Sequence, residues 1–302
     1  MLTLIITTYN RWSSCAACLH ALLQQNSKEL TQIIVVDDFS SEPQTDDIKH
    51  LLENPKVTFV RHASNQGLPT ARNTAISLVR TEFFSFCDDD DIWLPDMASQ
   101  LLAAVKGKGM AIGVPASHSR WWQEHIKTSK LSLVDLFYWG VTPPVGSQIY
   151  KTSIINQVDA YNDKVTSGVD HDLWVRLLTL NPSVGIAIGA IAIVGKGEGF
   201  NRMTTAISKR ERGINRSLEI WKPSLEQAFG SVFFDYFSKS YNTHIRVVFA
   251  ISLIRSGNYL QVLKKLIRNP NLIMVLTNKL LISFGIFRPT GSNFGVFKKN
   301  AR

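Results

Sequence analysis

Four consecutive carboxylates, Asp88, Asp89, Asp90 and Asp91, directly follow the apolar run Phe83-Phe84-Ser85-Phe86-Cys87. Side chains that close repel one another, and bound cations usually offset the repulsion. A cluster offering only oxygen selects a hard ion such as Mg2+ or Mn2+. An ion held there can grip a diphosphate and neutralise the charge that builds on it as it leaves. The plainer reading is a solvated loop in which Asp91 or Asp96 caps the following helix. A second stretch, Ser167-Gly168-Val169-Asp170-His171-Asp172-Leu173-Trp174-Val175-Arg176, brings two carboxylates and an imidazole together. Groups of those kinds serve as general bases.

The elements around these residues tell which of them can meet. Leu2 to Thr7, Gln32 to Val36, Val57 to Arg61, Phe83 to Cys87 and Met110 to Val114 read as strands. Helical spacing lies between them, from Ser13 to Gln25, after Gly67 with Pro69 in the opening turn, and from Pro95 to Lys106. Further on, Val145 to Tyr150 reads as a strand, Ser167 to Leu180 as a helix capped by Ser167, and Ser183 to Val194 as one long strand. The alternation predicts an α/β fold, a Rossmann-like and mainly parallel sheet covered by helices on both faces. Ligands of such sheets bind at the carboxyl ends of the strands. Thr7, Thr8, Tyr9 and Asn10, then Asp37 and Asp38, then Asp88 to Asp91, all follow strands and converge on one crevice.

The chain resembles the family 2 glycosyltransferases of the GT-A fold over roughly residues 1 to 205. The resemblance rests on motifs in the expected order: Thr7-Thr8-Tyr9-Asn10-Arg11, Val35-Val36-Asp37-Asp38-Phe39-Ser40, Asn65-Gln66-Gly67-Leu68-Pro69-Thr70-Ala71-Arg72-Asn73, and Asp88-Asp89-Asp90-Asp91-Ile92-Trp93-Leu94-Pro95-Asp96. It implies that Thr7, Tyr9, Asp38 and Arg72 hold the donor's base and its surroundings. It implies further that Asp88 and Asp90 serve ribose and metal, with Asp90 the firmer of the two metal ligands and Asp89 the rival of Asp88 on the ribose. The segment around Asp170 is similar to the family's E-D-x-D-L-W-x-R stretch, whose Asp is the general base; Val169 stands where a Glu is frequent. The implied reaction is transfer of a sugar from a nucleoside diphosphate, a UDP-sugar being the expected donor. The acceptor would be a glycan or a lipid-linked sugar, as in bacterial surface polysaccharide assembly, and a single displacement would invert the anomeric centre.

Chemistry gives the same residues plausible tasks without the family. Asp38 at a strand end can accept the imide N–H of uracil, Tyr9 can pack on a base, and Arg72 offers a planar fork to carbonyl or phosphate oxygens. The ordinary alternatives are a turn-capping aspartate, a core tyrosine and a surface arginine. His171 rivals Asp170 as base, and Asp172 suits bracing the helix. Trp93, Trp174 and the run Ser119-Arg120-Trp121-Trp122 could stack on sugars, or the first two could pack in the core.

The net charge of +9 is unevenly placed, since residues 236–302 hold eleven of the 33 Lys and Arg and none of the 24 Asp and Glu. The first 235 residues therefore carry 22 basic against 24 acidic groups. This suggests a catalytic domain over 1–212 and a basic, amphipathic helical region over 213–302, broken by Pro223, Gly257, Pro270 and Pro289. Such helices suit an anionic membrane surface, or else cap the catalytic domain with a solvated basic face. Three cysteines and no secretory leader point to a reducing compartment, so a cytoplasmic protein, peripheral on the inner face of a membrane, is expected. Cys15-Ala16-Ala17-Cys18 has redox spacing but sits within an apolar helical pattern. Gly195-Lys196-Gly197-Glu198-Gly199 lacks the Lys-Ser/Thr ending of a phosphate loop and reads instead as a loop over the donor. A nucleotidyltransferase would place a Gly- and Lys/Arg-rich loop after the first strand, where this chain has Thr-Thr-Tyr-Asn. A glycan- or membrane-binding module without turnover is the non-enzymatic alternative. No nucleic-acid recognition motif accompanies the basic tail.

Overall fold

The computed structural model describes residues 1–116, 131, 145–165, 168–194, 207–239 and 241–242, at 207–212 the backbone alone. Ser119 to Trp122, Ser167, the glycine-rich stretch 195–199 and the basic tail from 243 lie outside the described residues.

The order is β1 (Leu2–Thr8), α1 (Trp12–Leu23), β2 (Leu30–Asp37), α2 (Asp46–Leu52), β3 (Val57–Arg61), α3 (Leu68–Leu78) and β4 (Phe83–Asp88). Then follow β5 (Asp91–Ile92), α4 (Met97–Val105), β6 (Met110–Val114), β7 (Gln148–Lys151), α5 (Thr152–Asn156), α6 (Val169–Thr179), β8 (Val184–Ile188), β9 (Ile193–Val194) and α7 (Ile207–Phe229). Seven strands form one sheet in the order β3-β2-β1-β4-β7-β6-β8. Only β7 runs against the others, being antiparallel to both β4 and β6. The mainly parallel α/β sheet expected from the sequence is thus present.

Leu2, Leu4, Ile5 and Ile6 of β1 and Ile33 to Val36 of β2 are fully buried. Strands covered on both faces read as unbroken apolar runs, which is how these were recognisable. Helix α1 buries Trp12, Cys15, Ala16, Cys18, Leu19 and Leu22, one stripe at helical spacing. Gly67 at φ +88° turns the chain into α3, and Pro69 fits the first turn because its missing N–H is unneeded there. Gln25 just past α1 fixes the next helix: its Oε1 accepts from the N–H of Ala98 at 3.0 Å and its Nε2 donates to the Leu94 carbonyl at 2.9 Å.

Three expectations need correction. Val145 to Ser147 form a short 3-10 helix, so the strand expected from Val145 begins only at Gln148. The stretch Ser183 to Val194 is not one strand. Gly189 adopts φ +89° and Ile191 N–H closes onto its carbonyl, so β8 ends and β9 pairs instead with β5. Pro223 does not break the later helix, which runs on to Phe229. Ile214, Leu218, Trp221 and Leu225 bury a continuous face across the proline, and that burial outweighs the lost backbone bond.

Contacts divide the chain into one compact unit of Met1–Leu133 with Thr142–Ala206, and another of Val134–Val141 with Ile207–Arg302. No helix among the described residues is long and apolar enough to cross a membrane.

Glycine at 113 on β6 is a packing requirement. A Cβ there would lie 1.5 Å from the carbonyl oxygen of Ala190, a backbone atom that no rotamer change can move. Gly113→Ala is expected to destabilise the fold by about 3 kcal/mol or more. A urea midpoint equal to wild type would show that the 189–192 turn yields freely.

Candidate active site

The carboxyl ends of β1, β2 and β4 stand side by side, with Thr7 paired to Asp88 and Thr8 to Asp37. Arg72, one turn into α3, points beneath them and is buried to 1% exposure. Its guanidinium lies 5.1 Å from the ring centroids of both Phe86 and Tyr161. Nη2 donates to Asp88 Oδ1 at 2.8 Å, and Nη1 donates to Asp170 Oδ1 and, at 3.2 Å, to Tyr161 Oη. One side chain thus joins the first carboxylate of the acidic run to the acidic residue at the start of α6. Burial opposes the charge on Arg72, but Asp170 and Asp88 outweigh it and hold the group firmly protonated. The fork expected for a ligand's oxygens is turned on these two carboxylates.

Asp170 sits in the first turn of α6, where the unpaired N–H groups favour negative charge. Oδ1 also accepts from the Tyr161 hydroxyl at 3.2 Å. Oδ2 takes no partner among the described residues, and the side chain is 32% exposed. Tyr161 is buried, which pushes its hydroxyl well above the ordinary range and keeps it a donor. Asn73 fixes it from α3 by a reciprocal pair, Nδ2 to the Tyr161 carbonyl at 2.8 Å and Tyr161 N–H to Oδ1 at 2.9 Å. Asp172 is fully buried and accepts from Arg176 Nε at 2.9 Å and Nη2 at 2.5 Å, an intrahelical brace. Trp93 and Trp174 are buried as well, so they serve the core.

Asp89 and Asp90 belong to a second cluster. Arg11 donates to Asp89 Oδ1 at 3.1 Å and Asp90 Oδ2 at 2.5 Å, and Thr8 Oγ1 donates to Asp89 Oδ2 at 2.8 Å. Burial pushes the Asp89 carboxyl up to about 7, against the pull of Arg11 and Thr8. Asp91 is buried within β5, and Asp96 holds the cap position of α4 without a side-chain capping bond, so neither caps that helix.

Asp38 is buried in a third cluster. Its Oδ1 accepts from Gln66 N–H at 2.9 Å and its Oδ2 from Gly67 N–H at 2.7 Å. His62 Nδ1 lies 2.8 Å from Oδ1, while His62 Nε2 lies 3.0 Å from Thr74 Oγ1 on α3. The residue thereby ties β2 to the loop before α3. Thr7 is half-buried, and Tyr9 is 46% exposed at the rim. Sequence reasoning gave no role to Arg11, Tyr161 or His62. Arg11 alone had a visible signal, a cation following a strand end in a chain whose acidic run needs one.

Asp88 is 41% exposed and, among the described residues, only its Oδ1 is engaged, while Asp90 stands beside Arg11. Among the described residues no group of three or more His, Cys, Asp or Glu could hold an ion unaided. Two hard carboxylates completed by phosphate oxygens and water are nevertheless a normal shell for Mg2+ or Mn2+. The residues fit an ion that arrives with a diphosphate.

All three cysteines are free and buried. Cys18 Sγ lies 3.4 Å from Cys87 Sγ, under the acidic run, and the spacing of Cys15 and Cys18 reflects the buried stripe of α1.

Solved structures share this architecture. Staphylococcus aureus TarS 1–349 in complex with UDP-GlcNAc superposes with a TM-score of 0.62 at 20% identity, over 93% of this chain and 80% of that one. Mannosyltransferase PcManGT from Pyrobaculum calidifontis, in complex with GDP-Man and Mn2+, gives 0.59 at 13% identity, over 93% and 86%. The fold is the GT-A fold of glycosyltransferases. The model of glycosyl transferase family 2 matches residues 3–165, more than half of the chain, and the protein belongs to that family. Asp170 lies just beyond the matched segment. Among curated relatives, the putative colanic acid biosynthesis glycosyl transferase WcaA of Escherichia coli is 30% identical over 103 residues, 34% of this chain and 37% of that protein. Putative glycosyltransferase EpsH of Bacillus subtilis is 33% identical over 100 residues, 33% of this chain and 29% of that protein. The alignments thus span about a third of those relatives.

Proposed function

We propose that the chain transfers a sugar from a nucleoside diphosphate donor to a glycan or lipid-linked acceptor, by a metal-dependent displacement that inverts the anomeric centre. The observation that carries this reading is the shared guanidinium of Arg72, which holds the carboxylates of Asp88 and Asp170. A donor-side carboxylate and a base are thereby kept one side chain apart at the mouth of the parallel sheet. A UDP-sugar is the favoured donor; TarS was solved with UDP-GlcNAc, and PcManGT with GDP-Man and Mn2+. The name of WcaA, colanic acid biosynthesis, supports assembly of a surface polysaccharide.

In this reading Asp88 and Asp90 hold Mg2+ or Mn2+, and Asp88 or Asp89 meets the ribose. The ion, when bound, neutralises charge on the departing nucleoside diphosphate. Thr7, Tyr9, Asp38 and Arg72 shape the nucleotide pocket, Asp38 and Arg72 by fixing its walls. Asp170 takes the acceptor hydroxyl proton at Oδ2, while Arg72 and Tyr161 keep Oδ1 in place. One displacement suffices, and no covalent adduct of the protein forms. The catalytic domain spans 1–212, and the basic region 213–302 attaches it to an anionic membrane surface on the cytoplasmic side.

The deciding experiment is a panel of UDP- and GDP-sugars scored by thermal shift with and without Mn2+. A metal-dependent rise of the melting temperature with one donor is expected; no rise with any donor, with or without Mn2+, overturns the reading. Product release from that donor then separates an enzyme from a binding module. Loss of vesicle binding on truncation after Arg212, and its weakening by salt, tests the membrane attachment.

A further inference from the structure

Phe39 is the oddest residue at the crevice. It follows Asp38 at the carboxyl end of β2, adopts φ +68°, and is 45% exposed. A bulky side chain in left-handed backbone is disfavoured by contact of its Cβ with the following carbonyl, and persists only where neighbours dictate it. They do so here. Asp37 Oδ1 accepts from both the N–H of Ser40 at 2.9 Å and its hydroxyl at 2.5 Å, and Arg61 donates to the Ser40 carbonyl at 2.7 Å. The turn would hold a glycine more easily, yet it presents a phenyl ring to solvent.

The same turn is laced to the end of β1. Asp38 N–H donates to the Thr8 carbonyl at 2.9 Å, and Asn10 N–H donates to Ser40 Oγ at 2.8 Å. Asn10 Oδ1 accepts from the N–H groups of Ser41 at 2.7 Å and Glu42 at 3.1 Å. Tyr9 stands between Thr8 and Asn10, and Phe39 between Asp38 and Ser40. Two exposed aromatic residues are therefore fixed on neighbouring strand ends. The Arg61 guanidinium lies 5.7 Å from the Phe39 ring centroid, a cation that polarises the ring on one side.

We infer that Phe39 is a nucleotide-binding residue: with Tyr9 it forms an aromatic wall on which the donor's nucleobase stacks. The inference rests on the donor reading above and adds to it the residue that recognises the base as a planar ring. Stacking asks for an open π face at the ligand end of the sheet, and the strained turn supplies one that no core contact requires.

The test uses the full chain and, as probes, UDP, GDP and pyrophosphate, each with Mn2+ in a calorimetric titration. Phe39→Gly is expected to weaken nucleoside diphosphate binding roughly ten- to a hundredfold, the loss of one base stack. Pyrophosphate binding should stay within about twofold, since it has no base to stack. Phe39→Tyr should restore nucleotide affinity. The melting temperature of Phe39→Gly should equal or exceed wild type, because glycine relaxes the turn. Unchanged UDP or GDP affinity in Phe39→Gly, with wild type binding normally, overturns the inference and leaves the donor reading standing. A lowered melting temperature with parallel loss of pyrophosphate binding also overturns it, by showing that the ring holds the loop. Wild type binding neither nucleotide overturns the donor reading and this inference together.

Discussion

Asp170→Asn is expected to lower turnover by about 10²- to 10⁴-fold at saturating donor, with donor affinity nearly unchanged. A base acts on the acceptor proton in the transition state and contributes little to holding the nucleotide. Asn is a fair probe because its amide oxygen can still accept from Arg72 and from the Tyr161 hydroxyl, the two partners of Oδ1. The variant leaves the buried guanidinium with Asp88 as its remaining carboxylate, so some loss of thermal stability should accompany the loss of rate. Measuring donor binding on the folded variant separates the two effects. His171→Asn should be mild by comparison. A fast Asp170→Asn enzyme beside a dead His171→Asn enzyme would move the base to the imidazole.

The sequence showed the strands better than the contacts. β3 and β6 have the ends expected of them: β6, buried along its whole length, announces itself as a short apolar run between polar turns, while β3, half-buried at the sheet edge, shows itself by its β-branched and aromatic residues. The helix α2 went unread, being seven residues long and burying only Ile48. Its signs were slight: Thr45, accepting from Ile48 N–H at its start, and Asp46 and Asp47 in its first turn. The ladder of β5 with β9 pairs just Asp91 and Ile92 with Val194 and Ile193, too short for any periodicity to register. At the site, residue types and strand ends brought Asp88, Asp170 and Arg72 to notice. Their union across 16 and 98 positions of chain is a property of the fold. The same holds for Asp38, whose buried bond to His62 spans 24 positions and turns a residue read as a ligand contact into one that also fastens a loop.

Asp90→Asn should abolish turnover together with the metal-dependent part of donor binding, while the fold survives. The substitution keeps the side chain's size and removes the charge that a divalent ion needs, and a neutral amide oxygen is a weak replacement in so small a shell. Its effect on the fold should be slight. Arg11 keeps its other carboxylate, Asp89, at 3.1 Å, and the run loses one charge from a group of mutually repelling neighbours. The comparison with Asp88→Asn is informative. Asp88 also anchors Arg72, so that variant should lose stability as well as metal binding, whereas Asp90→Asn should lose metal binding alone. Titrating Mn2+ in the presence of UDP, by electron paramagnetic resonance of the free ion, reads the metal directly and does not depend on finding the acceptor. A folded Asp90→Asn protein that takes up Mn2+ with wild-type affinity and turns over normally would remove Asp90 from the metal and leave Asp88 with Asp89 as the pair to examine.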